Sequence, residues 1–131
     1  KDFYTKHLYK ANQAKAGDWD FAEAGWTPDW FSDGAKTYFI PLFGADPPNI
    51  TNYGLLSDPK LDTLVQNALN APNDAASAPL WHQADQEVMA QASWFPMYIQ
   101  NFSKIQGSQV HNCVISPAWE TCSFANVWLS S

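Results

Sequence analysis

Much of this chain is arranged around one aromatic run, Trp19-Asp20-Phe21-Ala22-Glu23-Ala24-Gly25-Trp26-Thr27-Pro28-Asp29-Trp30-Phe31. Residues 19–26 are short and rich in aromatic side chains, which is typical of a buried strand. Pro28 then bends the chain, and the Asp29 carboxylate follows between Trp26 and Trp30. Ligands bind where strands end in many open α/β sheets. A carboxylate flanked by indoles therefore predicts a site for a cation or an amine.

Two interpretations of Asp29 are open at this point. In the first, Asp29 accepts charge-assisted hydrogen bonds from an ammonium group, each worth ~1.5–3 kcal/mol net. Trp26 and Trp30 then add apolar or cation–π contact. In the second, Asp29 caps a short helix at residues 30–33 and the indoles belong to the core. Spacing alone slightly favours the second interpretation.

Helical patterns lie on both sides of this run. Residues 2–16 place their apolar side chains on one face, and Gly17 is a natural helix stop. Ser57-Asp58-Pro59 supplies a capping hydroxyl, an early carboxylate and a first-turn proline, and an apolar stripe at helical period follows. Asp74 is predicted to cap a second helix that reaches about Ser93. Because only a short turn separates these two helices, we expect them to pack antiparallel.

After Pro96 the pattern changes to that of strands. The segment 37–40, before the helix pair, suits either a helical turn or a short strand, since Pro41 limits both. The order helix, strand, loops, helix pair, strands predicts an α/β fold, or α+β by strict order. The candidate strands after Pro96 are 97–99, 104–106 and 110–115, and residues 127–129 form a last apolar segment.

Composition excludes several classes of function. With 131 residues, of which 46 % are hydrophobic, the chain can form one domain with a real core. The net charge is −6, with seven Lys and Arg, which argues against a nucleic-acid groove and against binding to an anionic membrane. Cationic or zwitterionic ligands fit this balance. The seven Trp exceed what a small core needs, so we expect some of them to line a surface or cleft.

Motifs for catalysis, cofactors and metals are absent from the sequence. It contains no glycine-rich phosphate loop and no Gly-x-Ser-x-Gly elbow. His7, His82 and His111 lie on different predicted elements without metal-ligand spacing. Glu23 and Asp29 could form a carboxylate pair for glycoside hydrolysis, but only their proximity supports it. We therefore predict a binding protein, not an enzyme, with no cofactor and no metal.

The two cysteines, Cys113 and Cys122, lie nine positions apart in a loop-like stretch. They are either buried free thiols or a disulfide. The spacing favours a disulfide, because it closes a compact loop worth ~2–3 kcal/mol in the chain-entropy model. A disulfide in turn predicts a location outside the cytoplasm.

Several motifs, taken in order and with their spacing, resemble the C-terminal part of family 5 extracellular solute-binding proteins. These are the peptide-binding subunits of ABC importers. The Trp-Thr-Pro-Asp-Trp form of the central motif is similar to the actinobacterial branch. The segments that carry the resemblance are Gly17–Asp20, Gly25–Trp30, Asn52–Gly54, Ser57–Asp62, Leu80–Met89, Trp94–Tyr98 and Asn126–Leu129.

The resemblance implies a fold and a position within it. Residues 1–131 would be a C-terminal lobe fragment of a two-lobed, class II periplasmic-binding-protein-like fold. Residues 1–95 would form the lobe body, with strand 19–26 and the helix pair 57–93. Residues 96–131 would be a strand-rich segment that returns toward the missing N-terminal lobe. The opening at Lys1 agrees with this, since it reads as the middle of a longer protein.

The resemblance also implies a site and its partners. Asp29 would bind the free α-amino group of a short peptide, with Trp26 beside it, and Thr27 and Trp30 complete the predicted ligand-binding set. The whole protein would be a membrane-anchored lipoprotein on the cell surface that delivers its solute to an ABC permease. The Cys113–Cys122 pair is not a general feature of this family.

Two further expectations follow from the sequence. A single lobe should bind ligand weakly, because affinity in a hinge-closing protein needs both walls of the cleft. Strands after Pro96 that lack partners should favour dimerisation or swapping with another chain. The acidic balance and the many Trp leave an alternative function, a secreted carbohydrate-binding module.

Overall fold

The computed structural model describes residues 2–27, 34–44, 51–101, 103–116 and 121–130. Within these ranges the regular secondary structure is mainly helical, with a single two-stranded sheet. A π-helical turn at Tyr4–Leu8 comes first. The elements that follow are α1 (Ala11–Ala16), α2 (Gly34–Phe43), α3 (Pro59–Leu69), α4 (Asp74–Ala90), β1 (Val110–His111) and β2 (Trp128–Leu129).

The N-terminal helix is interrupted, whereas the sequence predicts one helix over residues 2–16. Lys10 has non-helical backbone angles, φ −110° and ψ 84°, and separates the π-helical turn from α1. Gly17 ends α1 in the left-handed conformation, with φ 74°, as predicted. Its N–H and that of Asp18 bond to the carbonyl groups of Ala14 and Gln13. These bonds satisfy carbonyls that a helix end otherwise leaves unpaired.

Helices α3 and α4 form the predicted helix pair, and each is capped one residue away from the predicted position. The Asp58 side chain accepts from the Lys60 N–H at 2.9 Å, so the cap is Asp58 and not Ser57. The Asn73 side chain accepts from the Ala76 N–H at 3.0 Å, so the second cap is Asn73 and not Asp74. Both capping residues have extended backbone angles, which place a side-chain oxygen over the first turn.

Replacement of Asn73 by Ala should lower the free energy of unfolding by about 1 kcal/mol, because an N–H of the first turn loses its acceptor. Asp74→Ala is the matched control and should cost less, since Asp74 contributes only through its charge near the helix terminus. Urea denaturation measures both. Equal losses for the two variants would contradict the assignment of the cap to Asn73.

Segment 37–40 is helical and lies within α2, which includes Pro41. Helices α2, α3 and α4 together supply most of the buried core. Leu42, Leu61 and Val88 are the largest side chains that are almost fully buried, and Ala84 of α4 has no exposed surface at all. The core is therefore centred on the packing of the helix pair against α2. Its nine buried members are Leu8, Phe39, Leu42, Phe43, Tyr53, Leu61, Val65, Ala84 and Val88.

The predicted strand at 19–26 is not formed. Side-chain burial alternates from Ala22 to Thr27, as it would in a strand. However, none of these backbone groups bonds to the backbone of another described segment. A strand needs a paired neighbour. The aromatic pattern that predicted a strand here indicates only which side chains face the core.

The region after Pro96 contains far less sheet than predicted. Val110 pairs with Leu129, and His111 with Trp128, in antiparallel register. One isolated bridge joins Ile115 to Cys122. Residues 97–99 and 104–106 are neither helical nor paired as strands. The predicted strand at 110–115 is thus shortened to two residues and an isolated bridge.

The predicted disulfide between Cys113 and Cys122 is confirmed. It closes a loop with a sequence separation of 9 beside the two-stranded sheet. The double variant Cys113→Ser, Cys122→Ser should lose about 2–3 kcal/mol of stability, because the unfolded chain regains the entropy that the crosslink removes. Guanidinium denaturation compared with the oxidised parent measures this loss. Unchanged stability would show that the crosslink does not constrain the unfolded chain.

Candidate functional site

The structure places part of the predicted ligand-binding set. Trp26 and Thr27 lie in the described range 2–27, while Asp29 and Trp30 lie outside the described residues. The chain enters the intervening segment at Thr27 and leaves it at Gly34, where α2 begins. The structure therefore describes the two supports of the candidate site: the end of the aromatic run at Gly25–Thr27, and the start of α2 at Gly34–Thr37.

Trp26 is an anchor for the first of these supports. Its indole N–H donates to the Thr37 carbonyl oxygen at 2.7 Å, and its ring packs against the hydrophobic core. An indole has a single donor, and in Trp26 that donor is bonded within the chain. Any contribution of Trp26 to a ligand is then made by the ring and not by a hydrogen bond.

Thr37 holds the second support in place. Its side chain is buried, and its hydroxyl donates to the Gly34 carbonyl at 2.8 Å in the first turn of α2. Since the Thr37 carbonyl also accepts from Trp26, this one residue connects the start of α2 to the end of the aromatic run. The two ends of the segment that carries Asp29 are thus tied to one another.

Gly25 is fixed from the opposite side by an aromatic cluster. Its N–H donates to the Tyr4 hydroxyl at 3.3 Å. The Tyr4 ring lies 6.1 Å from that of Tyr53, which in turn stacks on Tyr9 and Trp94. Burial raises the pKa of Tyr53 well above its usual range, so its phenol stays neutral. Sequence reasoning missed Tyr4 and Thr37, because no local pattern links either residue to the Gly25-Trp26 pair.

Thr27 is exposed, whereas its neighbour Trp26 is partly buried. Alternate residues point to opposite faces when burial follows a period of two. Thr27 is therefore accessible to a solute, whereas Trp26 is partly buried against the core. The burial pattern thus indicates that these two adjacent residues face opposite sides of the chain.

Glu23 contacts the segment after Pro96. Its carboxylate accepts from the Tyr98 hydroxyl at 2.7 Å, and both side chains are exposed. This hydrogen bond to the carboxylate, with its negative charge, raises the pKa of Tyr98. The partner of Glu23 in the structure is thus a phenol. The hypothetical hydrolase pair of Glu23 with Asp29 stays a hypothesis, since Asp29 lies outside the described residues.

Among the five tryptophans in the described residues, four are partly buried and one is exposed. Trp19, Trp26, Trp81 and Trp94 pack against the buried cluster. Trp128 is 55 % exposed and stacks on His111, with ring centroids 4.1 Å apart. The carbohydrate-binding alternative, which depends on the acidic balance and the many Trp, stays a hypothesis.

The described residues also bear on metal binding and on membrane insertion. No group of three or more His, Cys, Asp or Glu there could hold a metal ion. His7, His82 and His111 belong to separate elements, as their sequence positions predicted. No helix in the described part of the chain is long and apolar enough to cross a membrane.

Comparison with known proteins gives one relation. The chain is 28 % identical over 105 residues to the probable di/tripeptide-binding protein 5 of Pseudomonas aeruginosa (strain UCBPP-PA14). The match covers 76 % of this chain and 20 % of that protein, so the chain spans about a fifth of the length of the curated relative it matches. The relation is distant. No family model matches the sequence, and no solved structure matches it.

This relation supports a role in solute binding at a coarse level. The related protein is named for binding small peptides and not for catalysis. That name agrees with the prediction of a binding protein, and with a peptide as the general class of ligand.

Proposed function

We propose that this chain is part of a solute-binding protein of the family 5 type, which holds a short peptide for uptake by an ABC importer. The observation that carries the proposal is the distant identity to a di/tripeptide-binding protein across 76 % of the chain. The ordered motifs around Gly25–Trp30 add to it, and their Trp-Thr-Pro-Asp-Trp form points to the actinobacterial branch. In this proposal the chain is one lobe of a two-lobed fold, and the other lobe supplies the second wall of the cleft.

The proposal gives each site residue a role that its chemistry permits. Asp29 accepts charge-assisted hydrogen bonds from the α-amino group of the peptide. Trp26 positions the segment through its bond to Thr37 and presents a ring beside the amine. Trp30 adds a second aromatic surface, and the exposed Thr27 hydroxyl adds a polar contact. The tied ends of the segment support this scheme, because a site is more selective when its supports are rigid.

We further propose that the protein acts outside the cytoplasm as a membrane-anchored lipoprotein. The Cys113–Cys122 disulfide supports this location, since disulfides persist in oxidising compartments. The permease is inferred as a partner from the proposed function alone.

The class of ligand separates this proposal from the carbohydrate alternative. Isothermal titration calorimetry on the longer protein that contains this chain should give heat with free-amine di- and tripeptides and none with oligosaccharides. A response to oligosaccharides without a response to peptides would replace the proposal by the alternative. Titration of the 131-residue chain should show much weaker peptide binding, because one wall of the cleft is absent.

A further inference from the structure

Helix α2 contains a proline in its interior. Pro41 is the eighth of the ten residues of α2, and the helix continues through it to Phe43. Proline costs a helix interior more stability than any other residue, because it has no N–H and its ring crowds the carbonyl group four residues earlier. The carbonyl four residues before Pro41 therefore lacks the donor that a regular helix would give it.

That carbonyl belongs to Thr37, and it is the acceptor for the Trp26 indole. In a regular helix it would accept from the N–H of residue 41. Here the indole N–H of Trp26 donates to it at 2.7 Å. Thr37 is buried, so a carbonyl without a donor would be costly at this position. The indole of Trp26 thus takes the place that Pro41 leaves open.

We propose that Pro41 is a positioning residue for the peptide site. By withholding an N–H from Thr37, it reserves this carbonyl for Trp26 and so fastens the end of the aromatic run to α2. The inference rests on the proposed function, in which Asp29, between Trp26 and α2, binds the amine of the peptide. Pro41 acts on the site only through the indole, since any other residue at position 41 would donate along the helix and compete with Trp26.

The bond between Trp26 and Thr37 favours binding because it orders the site before the ligand arrives. It connects the two described ends of the segment that carries Asp29. A connection of this kind lowers the conformational entropy that binding must otherwise remove. Helix stability and ligand affinity are therefore opposed at position 41, where alanine would favour the helix and proline favours the site.

The substitution Pro41→Ala tests this opposition, and Pro79→Ala is its matched control, since Pro79 lies in the interior of α4. Calorimetric titration of the longer protein with trialanine should give a Kd about 3- to 10-fold higher for Pro41→Ala, the equivalent of one hydrogen bond. The Kd of Pro79→Ala should equal that of the parent. The thermal unfolding midpoint should not fall in either variant, because alanine is the best helix former.

The hydrogen bond itself can be observed in the 131-residue chain without a ligand. Each of the seven tryptophans gives one indole N–H signal in a proton–nitrogen correlation spectrum, and Trp26→Phe identifies the signal of Trp26. In Pro41→Ala this signal should move upfield and its hydrogen exchange should become faster. Pro79→Ala should leave it in place. An unchanged Trp26 signal in Pro41→Ala would overturn the proposal.

A double variant separates the route through the indole from a general effect on α2. If Pro41 acts through the Trp26 donor, Pro41→Ala should weaken trialanine binding no further in a Trp26→Phe background. Equal losses with and without the indole donor would contradict this route.

Acetylated trialanine distinguishes a failure of this inference from a failure of the proposed function. A parent protein that binds the free and the N-acetylated peptide alike has no amine site, and both proposals are then wrong. A parent that prefers the free amine, together with a Pro41→Ala variant of unchanged affinity, would contradict the role of Pro41 alone.

Discussion

Replacement of Trp26 by Ala should lower the free energy of unfolding by about 3 kcal/mol, the lower end of the range for large aromatic side chains because the ring is only partly buried. The variant removes the packing of the ring against the core. It also removes the indole donor to the Thr37 carbonyl, and with it the tie between the two ends of the Asp29 segment. Urea denaturation followed by far-ultraviolet circular dichroism measures the change.

Two controls separate these effects of Trp26. Trp26→Phe keeps most of the ring but loses the donor, and should cost about 1 kcal/mol. Phe21→Ala removes an aromatic side chain of the same run that is 90 % exposed, and should leave stability nearly unchanged. If Trp26→Ala were no more destabilising than Phe21→Ala, Trp26 would not anchor the run to the core.

Local rules explain the parts of the fold that the sequence predicts well. The Gly17 stop, the α3–α4 pair and the Cys113–Cys122 disulfide each depend on residues close together in the chain. The helix caps were misplaced by one residue, because two adjacent polar side chains can both cap and only backbone angles distinguish them.

Contacts between distant residues explain the parts that the sequence did not predict. A strand exists only with a partner, so an aromatic run such as 19–26 cannot show by itself that one is present. The buried Asn52 side chain, which accepts from the Leu56 N–H and donates to the carbonyls of Leu56 and Gly44, has no signature in the sequence. The hydrogen bond from the Trp26 indole to the Thr37 carbonyl likewise has no signature in the sequence.

The candidate site was predicted from residue types together with the family resemblance, and the structure shows how the residues on either side of it are held. Trp26 was expected beside a ligand and is placed as a structural anchor whose ring edge is bonded. The packing of Trp26 against the core agrees with the second interpretation of the sequence, in which the indoles are buried. The two roles are compatible, since a partly buried ring can pack on the core with one face and contact a solute with the other.

Asp29→Asn should weaken the binding of a free-amine peptide by about 10- to 100-fold, because a charge-assisted hydrogen bond to the amine is replaced by a neutral one. The substitution keeps the shape of the side chain and removes only its charge. Asp33→Asn is the matched control: it removes the same charge from the same segment and should leave affinity nearly unchanged. Both variants belong in the longer protein, where the proposed cleft has both walls.

The measurement that tests the amine anchor most directly is calorimetric titration of that protein and its Asp29→Asn variant with one tripeptide, free and N-acetylated. Acetylation removes the charge of the amine, so it should weaken binding strongly in the parent and little in the variant, as expected for two groups that interact directly. Equal losses on acetylation in parent and variant, or unchanged affinity in Asp29→Asn, would contradict the role of Asp29.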